Sequence, residues 1–320
     1  MILFFGVLLI GCKSNDSKKN SNSFYENIVF ASKSEGIKLL EKEDAFTKHF
    51  SQFDVDSRVG KRNSTTADYL REAAKEPEDW TSEEIKNVKK IVLEISNQLE
   101  KLDIKINFPK IPIIKASMEL EAKAQGYTRD KSIVLYDKAL SGKDESLRHL
   151  ITHELFHVLT RNNPKFREKI YSIIGFKLMK EIEIPASLKD YTITNPDAPY
   201  VDSYITVKKD DKDIKCTMFI YSDRNFDGGT FMNYIHIGLF KLDDKDISKV
   251  EFKDGKPVYY SLNEVSNFFE QVGKNTRYII NPEEILAENF VYSIWGNKKL
   301  PNQEILNKIL ILLKDKKIFS

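Results

Sequence analysis

Residues 148–161 read RHLITHELFHVLTR, and they contain the pattern H-E-x-x-H at positions 153–157. Apolar residues recur around this pattern at three- and four-residue spacing, which predicts an amphipathic helix: Leu147, Ile151, Leu155, Val158 and Leu159. Side chains four positions apart lie on one face of a helix, so His153 and His157 can point at one metal ion. At about 100° per residue, the apolar stripe lies on another side. The helix can therefore bury one side and present the motif from the other.

The residue types of this motif suit a hydrolytic zinc site. Neutral imidazole is a good zinc ligand, and catalytic zinc usually takes three protein ligands and one water. Glu154 projects beside the two rings, where its carboxylate can accept the proton of a zinc-bound water, whose pKa the metal lowers to about 7. The motif therefore predicts one zinc ion per chain, with a third ligand from elsewhere. The alternative is a buried amphipathic helix that carries two histidines on its polar face.

A second helix is predicted near the C-terminal end of the chain. Asn281 suits an N-cap and Pro282 suits the first helical position. Glu284 and Glu288 then lie one turn apart on the same face of this helix. Between the two predicted helices, Thr160 and Asn163 stand where the metzincin pattern has Gly and His, so we exclude that pattern.

The stretches HELFH at 153–157 and EILAE at 284–288 resemble the two motifs of gluzincin-type H-E-x-x-H zinc metallopeptidases. The resemblance implies that His153, His157 and Glu284 hold the zinc ion and that Glu154 is the general base. It also implies that Glu288, where aspartate is commoner, orients a ligand histidine, in the first place His153. Two alternatives stay open at this point: Glu284 completes a capping box with the N-cap residue, or Glu283 is the ligand.

The same resemblance implies two further parts of the site. Some gluzincins place a tyrosine shortly before the ligand glutamate, where its hydroxyl stabilises the oxyanion, and Tyr278 is the candidate. Tyr259, Tyr260 and His236 compete for this role. An edge strand ahead of the motif helix usually pairs with extended substrate, and Ser132–Tyr136 is the candidate, with an internal strand as the alternative.

The N-terminal residues predict a membrane anchor. Residues 1–10 are almost wholly apolar but too few to span a bilayer, and they end in Leu9-Ile10-Gly11-Cys12. This end resembles the cleavage box of bacterial lipoprotein signal peptides, although the usual basic n-region is missing. The resemblance implies a signal peptide over 1–11, lipidation of Cys12 and attachment to a membrane of the bacterial cell envelope, outside the cytoplasm. Residues 12–23 are polar and predict a flexible tether; an apolar N-terminal strand is the alternative reading of the first residues.

Composition and pattern describe the rest of the chain. Fifty basic and forty-eight acidic residues give a net charge of +2, which argues against nucleic acid as the main partner. Residues 24–109 look helical, and about 184–260 look rich in strands, with a hairpin turn at Asp254-Gly255. We therefore predict an α+β fold over 24–320: a zincin-like catalytic domain, mainly helical with a small mixed sheet, that carries a β-rich insertion. Asp223–Asp227 matches half of a calcium loop, but Tyr234 replaces the final Glu, so calcium binding stays open.

The predicted function is zinc-dependent hydrolysis of peptide bonds by a membrane-anchored lipoprotein. Its expected partners are a peptide or protein substrate and the lipid bilayer. Two other classes stay open: a catalytically inactive protein of this fold that serves as a binding module, and a metal-dependent hydrolase of a non-peptide substrate. The sequence does not distinguish endopeptidase from exopeptidase action.

Overall fold

The computed structural model describes residues 24–117, 120–121 and 124–319. The predicted signal peptide, the tether and Cys12 lie outside these residues. The α-helices are α1 (Lys33–Leu40), α2 (Ala45–Lys48), α3 (Gln52–Val59), α4 (Thr66–Ala73), α5 (Ser82–Lys101), α6 (Asp137–Leu140), α7 (Asp144–Asn162), α8 (Pro164–Ile173), α9 (Phe268–Val272), α10 (Pro282–Trp295) and α11 (Gln303–Leu313). The strands are β1 (Ile28–Phe30), β2 (Pro77–Glu78), β3 (Ile111–Ala116), β4 (Gly126–Arg129), β5 (Ser132–Tyr136), β6 (Phe176–Leu178), β7 (Ser203–Lys209), β8 (Lys212–Tyr221), β9 (His236–Lys241), β10 (Phe252–Lys253), β11 (Lys256–Pro257) and β12 (Tyr259–Tyr260).

The first sheet is mixed and has the order β1-β3-β5-β4, with β2 beside β3. Strands β1, β3 and β5 are parallel, and β4 is antiparallel to β5. The prediction that Ser132–Tyr136 is the edge strand was wrong, because this stretch is β5 and lies between β3 and β4. Its run of apolar residues reflects burial inside the sheet. The edge strand is Gly126–Arg129, and it lies against the motif helix α7.

The second sheet is antiparallel and has the order β12-β9-β8-β7-β6. This β-rich region begins at Phe176, somewhat before the predicted boundary, and ends at Tyr260. The predicted turn Asp254-Gly255 joins β10 and β11 with φ of 50° and 75°. The loop that partly matches a calcium site is held by Tyr234, whose hydroxyl donates to the carboxylate of Asp227 and to the carbonyl of Gly228.

One hydrophobic core joins the helices to both sheets, and this confirms the α+β prediction. It contains Leu155 of α7, Phe290 of α10, Ile133 of β5 and Ile205 of β7. Helix α7 ends at Asn162 because Pro164 begins the next helix, as the sequence indicates. Within the part of the chain described here, every helix is too short or too polar to cross a bilayer.

A buried carboxyl group beside the first sheet should make stability depend on pH. The Oε1 atom of Glu76 accepts hydrogen bonds from the Tyr136 hydroxyl (3.0 Å) and the Leu120 N–H (3.1 Å). Its Oε2 atom is buried, and no described residue forms a hydrogen bond with it. Burial outweighs these hydrogen bonds and raises the pKa of Glu76 to about 8. The folded state therefore holds this proton more tightly than the unfolded state, and the resulting stabilisation is lost as the pH rises through about 8.

We expect Glu76→Gln to reduce the pH dependence of the free energy of unfolding. Glutamine has no proton to lose, so the wild-type protein should weaken relative to the variant by a few kcal/mol between about pH 5 and pH 8. Urea denaturation at several pH values measures this difference. Glu100→Gln, an exposed change on α5, serves as the control. Equal pH slopes in wild type and Glu76→Gln would contradict the assignment.

Candidate metal centre

Helices α7 and α10 pack against each other and bring the two predicted motifs together. Asn281 is the N-cap of α10, and its side-chain oxygen accepts a hydrogen bond from the N–H of Glu284 at 2.9 Å. Because this cap fixes the first turn, Glu283 and Glu284 both lie inside the protein.

Three predicted ligands converge in this interior. His153 Nε2 lies 2.9 Å from Glu284 Oε2, and His157 Nε2 lies 3.7 Å from the same oxygen. The other carboxylate oxygen of Glu284 accepts a hydrogen bond from Asn195 Nδ2 at 2.6 Å. The Glu284 side chain thus contacts the two histidines and Asn195, and it does not complete a capping box with the N-cap residue.

The donor set fits a metal ion. His157 is fully buried, yet its Nε2 has no hydrogen-bond partner among the residues that the structure describes. Buried polar atoms are nearly always paired, so an unpaired imidazole nitrogen that faces a carboxylate fits a metal ligand. His153, His157 and Glu284 place one ligand atom each within 4.8 Å of the others. These buried groups could therefore hold a metal ion.

A second carboxylate contacts the Nδ1 atom of each histidine. His153 Nδ1 lies 3.0 Å from Glu288 Oε1, which is the pairing that the sequence resemblance implies. His157 Nδ1 lies 3.4 Å from Glu283 Oε1. Such contacts fix the ring orientation and raise the basicity of a metal-binding imidazole. The Glu283 contact was missed by sequence reasoning, which considered this residue only as an alternative ligand.

The carboxylates of the site raise the pKa of both motif histidines. Burial would lower the pKa of His153, but hydrogen bonds to Glu284 and Glu288 outweigh burial and raise it well above the usual value. These carboxylates face both ring nitrogens, so the ring favours the imidazolium form. Hydrogen bonds to His149 and then to His153 lower the pKa of Glu288 against the effect of burial.

A known protein family matches the segment that contains the motif helix. The family model is described as the eCIS core domain, and it matches residues 114–165. This family has a metallopeptidase-like fold. The matched segment runs from β3 through β4, β5 and α7 into the start of α8, so it covers the edge strand and H-E-x-x-H but not α10. No curated protein and no solved structure matches the chain.

The matched segment also fixes the carboxylate of Glu154. The Thr128 hydroxyl of the edge strand donates to Glu154 Oε2 at 2.6 Å. The N–H of Thr128 donates to Asp197 Oδ1, also at 2.6 Å. Carboxylate oxygens of Glu154 and Asp197 and a ring nitrogen of His157 lie within 4.8 Å of one another. Burial and then the Glu154 charge raise the pKa of Asp197 well above its usual value.

A loop that sequence reasoning missed carries Asn195 and Asp197 into the site. The neighbouring Thr194 is held by Asp54, which accepts hydrogen bonds from its N–H and hydroxyl, and by Arg58, which donates to its carbonyl at 2.8 Å. Arg58 and Asp54 form a buried ion pair at 2.5 Å. This loop lacks regular structure, so no periodic pattern in the sequence could have revealed it.

The site opens into a cleft of about 740 Å³ between the edge strand and α7. Tyr278 lines this cleft, with its ring centroid 6.4 Å from that of His153. The residue is 45% exposed, yet desolvation and then the carboxylates of Glu284 and Asp197 raise the pKa of Tyr278 well above its usual value. The other candidates for an oxyanion donor, Tyr259, Tyr260 and His236, lie outside the cleft lining.

Part of the cleft wall is apolar, formed by Leu150, Ile193, Ile220, Phe231, Met232, Ile235 and Ile280.

We expect Glu283→Gln to weaken metal binding without removing a ligand. The Glu283 carboxylate also accepts hydrogen bonds from the hydroxyls of Tyr171 and Thr160, so its loss disturbs a buried network around His157. Loss of an orienting partner of this kind typically lowers metal affinity about 10–100-fold. Competition with a chromophoric chelator measures the affinity.

Glu168→Gln, an exposed change on α8, is the control for this measurement and should bind metal like the wild type. Unchanged affinity in Glu283→Gln would show that His157 is oriented without its carboxylate.

Proposed function

We propose that this chain is a zinc-dependent peptidase whose zinc ligands are His153, His157 and Glu284. The observation that carries the proposal is the convergence of two imidazoles and a carboxylate from two helices, beside the unpaired His157 Nε2. Two nitrogens and one carboxylate oxygen form a ligand set found in catalytic zinc sites, which leave one position open. The partial match to a family of metallopeptidase-like fold supports the same choice.

The reaction assigned to this site is hydrolysis of a peptide bond. When bound, zinc supplies Lewis acidity, which lowers the pKa of water and polarises a carbonyl. Glu154 accepts a proton from the attacking water and passes it to the leaving amine. The Thr128 hydroxyl holds the Glu154 carboxylate in place for both transfers. Tyr278 lines the cleft beside His153, and a tyrosine hydroxyl is protonated at neutral pH, so it can donate to the oxyanion.

The cleft itself favours a peptide over a small substrate. Its volume of about 740 Å³ reaches Gly126 and Tyr127 of the edge strand, and strand edges recognise extended peptides through main-chain hydrogen bonds. The apolar wall opposite can accept side chains. These features favour peptide hydrolysis over the two alternatives, a non-peptide hydrolase and an inactive binding module.

Cleavage of a peptide library tests this function. The zinc-loaded chain should produce new termini, identified by mass spectrometry, and a chelator should abolish them until zinc is restored. A library bound but left intact would favour the binding module. A library neither bound nor cleaved would leave the non-peptide hydrolase as the better reading.

We also propose that the mature protein is anchored to a bacterial envelope membrane through lipid on Cys12, with the catalytic domain outside the cytoplasm. Support comes from the sequence LIGC that ends the apolar run at residues 9–12. Metabolic labelling with a radioactive fatty acid should mark the wild type and not Cys12→Ser. Label retained in Cys12→Ser would disprove attachment at this residue.

A further inference from the structure

At the Thr128 end of the edge strand, the loop that carries Asp197 covers the strand, and this covered end is called the closed end of the cleft. Arg161, one turn beyond His157 on α7, donates hydrogen bonds to the carbonyls of Thr128 (3.1 Å), Asp130 (2.9 Å) and Pro196 (2.5 Å). This guanidinium ties the loop that carries Asp197 onto the edge strand. A separate cavity of about 290 Å³ lies beyond the loop, and Asp197 lines both spaces. A peptide chain in the cleft therefore meets Asp197 at this end.

On the free edge of β4, the main-chain groups that remain for a substrate are those away from the closed end. The carbonyl of Gln125 accepts a hydrogen bond from the N–H of Tyr136. Because hydrogen-bonded pairs alternate along an antiparallel ladder, the main-chain groups of Tyr127 and Arg129 point toward β5, and those of Gly126 and Thr128 point away from it. Asp197 occupies the N–H of Thr128 and Arg161 occupies its carbonyl. Gly126 lines the open part of the cleft, next to α7. An extended substrate can therefore pair at Gly126 but not at Thr128.

The charge at the closed end favours one terminus of a peptide. The carboxyl groups of Asp197 and Glu154 lie close together there, so an ammonium group would relieve the repulsion between them, whereas a carboxylate would add to it. Arg58, which lines the cleft, is paired with Asp54 and Glu121, and Arg161 beside the closed end donates to main-chain carbonyls. The closed end thus suits a free α-amino group.

Resting on the peptidase function proposed above, we infer that the enzyme is an aminopeptidase and that Asp197 binds the α-amino group of the substrate. In the first residue of a peptide, the amino nitrogen and the carbonyl carbon are separated by one Cα, about 2.5 Å across. Asp197 lies within 4.8 Å of the general base Glu154, so it can hold the amine while the adjacent carbonyl is attacked. Water adds its oxygen to the carbonyl carbon, the C–N bond breaks, and the leaving amine takes the proton. The products are a free amino acid and a peptide shortened by one residue.

An antiparallel arrangement agrees with this assignment. Strand β4 runs from Gly126 toward Arg129, so an antiparallel peptide with its amino end at Asp197 continues toward Gly126 and the open end of the cleft. The residues that follow can then pair with the main-chain groups of Gly126 and contact the apolar wall. A peptide in the opposite direction would place its terminal carboxylate against Asp197.

The test compares an octapeptide with a free amino terminus and its N-acetylated form, both amidated at the carboxyl end. Binding is measured by calorimetry to the zinc-loaded Glu154→Gln protein, in which hydrolysis does not interfere. We expect the free peptide to bind about 10–100-fold more tightly, the range of a hydrogen bond to a charged group. The double variant Glu154→Gln/Asp197→Asn should lose this preference while it keeps its zinc, because asparagine retains the acceptor for the Thr128 N–H.

A matched control is Glu154→Gln/Glu145→Gln, which removes a carboxylate from the open end of the same cleft and should keep the preference.

Turnover by the wild type gives a second readout that needs no variant at Asp197: amino acids should be released one at a time from the free amino end. Equal binding of both peptides, a preference that survives Asp197→Asn, or internal cleavage of the acetylated peptide would each overturn the aminopeptidase assignment and leave the peptidase intact. If the wild type cleaves no peptide at all, the peptidase function fails and this inference fails with it.

Discussion

Replacing Glu154 with glutamine is expected to lower the rate of peptide hydrolysis about 10²–10⁴-fold while the protein keeps its metal. The carboxylate is the only part of the motif assigned to proton transfer, and glutamine cannot accept a proton from water. The substituted amide oxygen can still accept the hydrogen bond from Thr128, which holds the wild-type side chain at 2.6 Å. The fold and the ligand set should therefore stay as they are.

Three measurements on the Glu154→Gln protein separate this loss from misfolding: zinc content by atomic emission, thermal stability, and peptide cleavage. Glu168→Gln on α8 is exposed and away from the cleft, so it should match the wild type in all three. Turnover that persists in Glu154→Gln with full zinc would refute the role of the carboxylate as the base.

Removal of Glu284 should abolish metal binding and, with it, activity. Glu284→Ala leaves only two imidazoles for the ion, so the affinity should fall by more than the roughly 10–100-fold lost when only an orienting partner is removed. The variant also takes away the anionic partner of His153 Nε2 and the acceptor of the Asn195 amide. We expect near-stoichiometric zinc in the wild type and almost none in the variant after dialysis.

The exposed variant Glu168→Ala provides the matched control, because it removes a glutamate side chain from a neighbouring helix without touching the site. Circular dichroism should show that Glu284→Ala remains folded, since the Asn281 cap of α10 uses the main-chain N–H of residue 284. Full zinc in Glu284→Ala would remove this residue from the ligand set.

The sequence predicted those parts of the site that depend on local pattern. The apolar stripe of α7, the Asn281-Pro282 start of α10 and the spacing of Glu284 and Glu288 each follow from helix geometry, and the structure places these residues side by side. The β-rich region also follows from local pattern, and its start differs by a few residues because β6 follows α8 almost directly.

The parts that escaped prediction depend on how distant segments pack. Glu283 orients His157 only because α10 lies against α7 at an angle that lets two adjacent glutamates reach different rings. Asp197 reaches the site through a loop that Asp54 and Arg58 hold, and those two residues are more than a hundred positions away. The order of β4 and β5 depends on which strand pairs with β3. The residue pattern of a strand does not predict which other strand it will pair with.

The covering of Thr128 has a consequence for the behaviour of the protein at high concentration. An uncovered edge strand can pair with the edge of a second molecule and start aggregation. On β4, Asp197 and Arg161 already occupy both outward groups of Thr128, so a neighbouring copy finds only the short stretch at Gly126. The contacts that cover Thr128 therefore leave little of this sheet edge for pairing between copies.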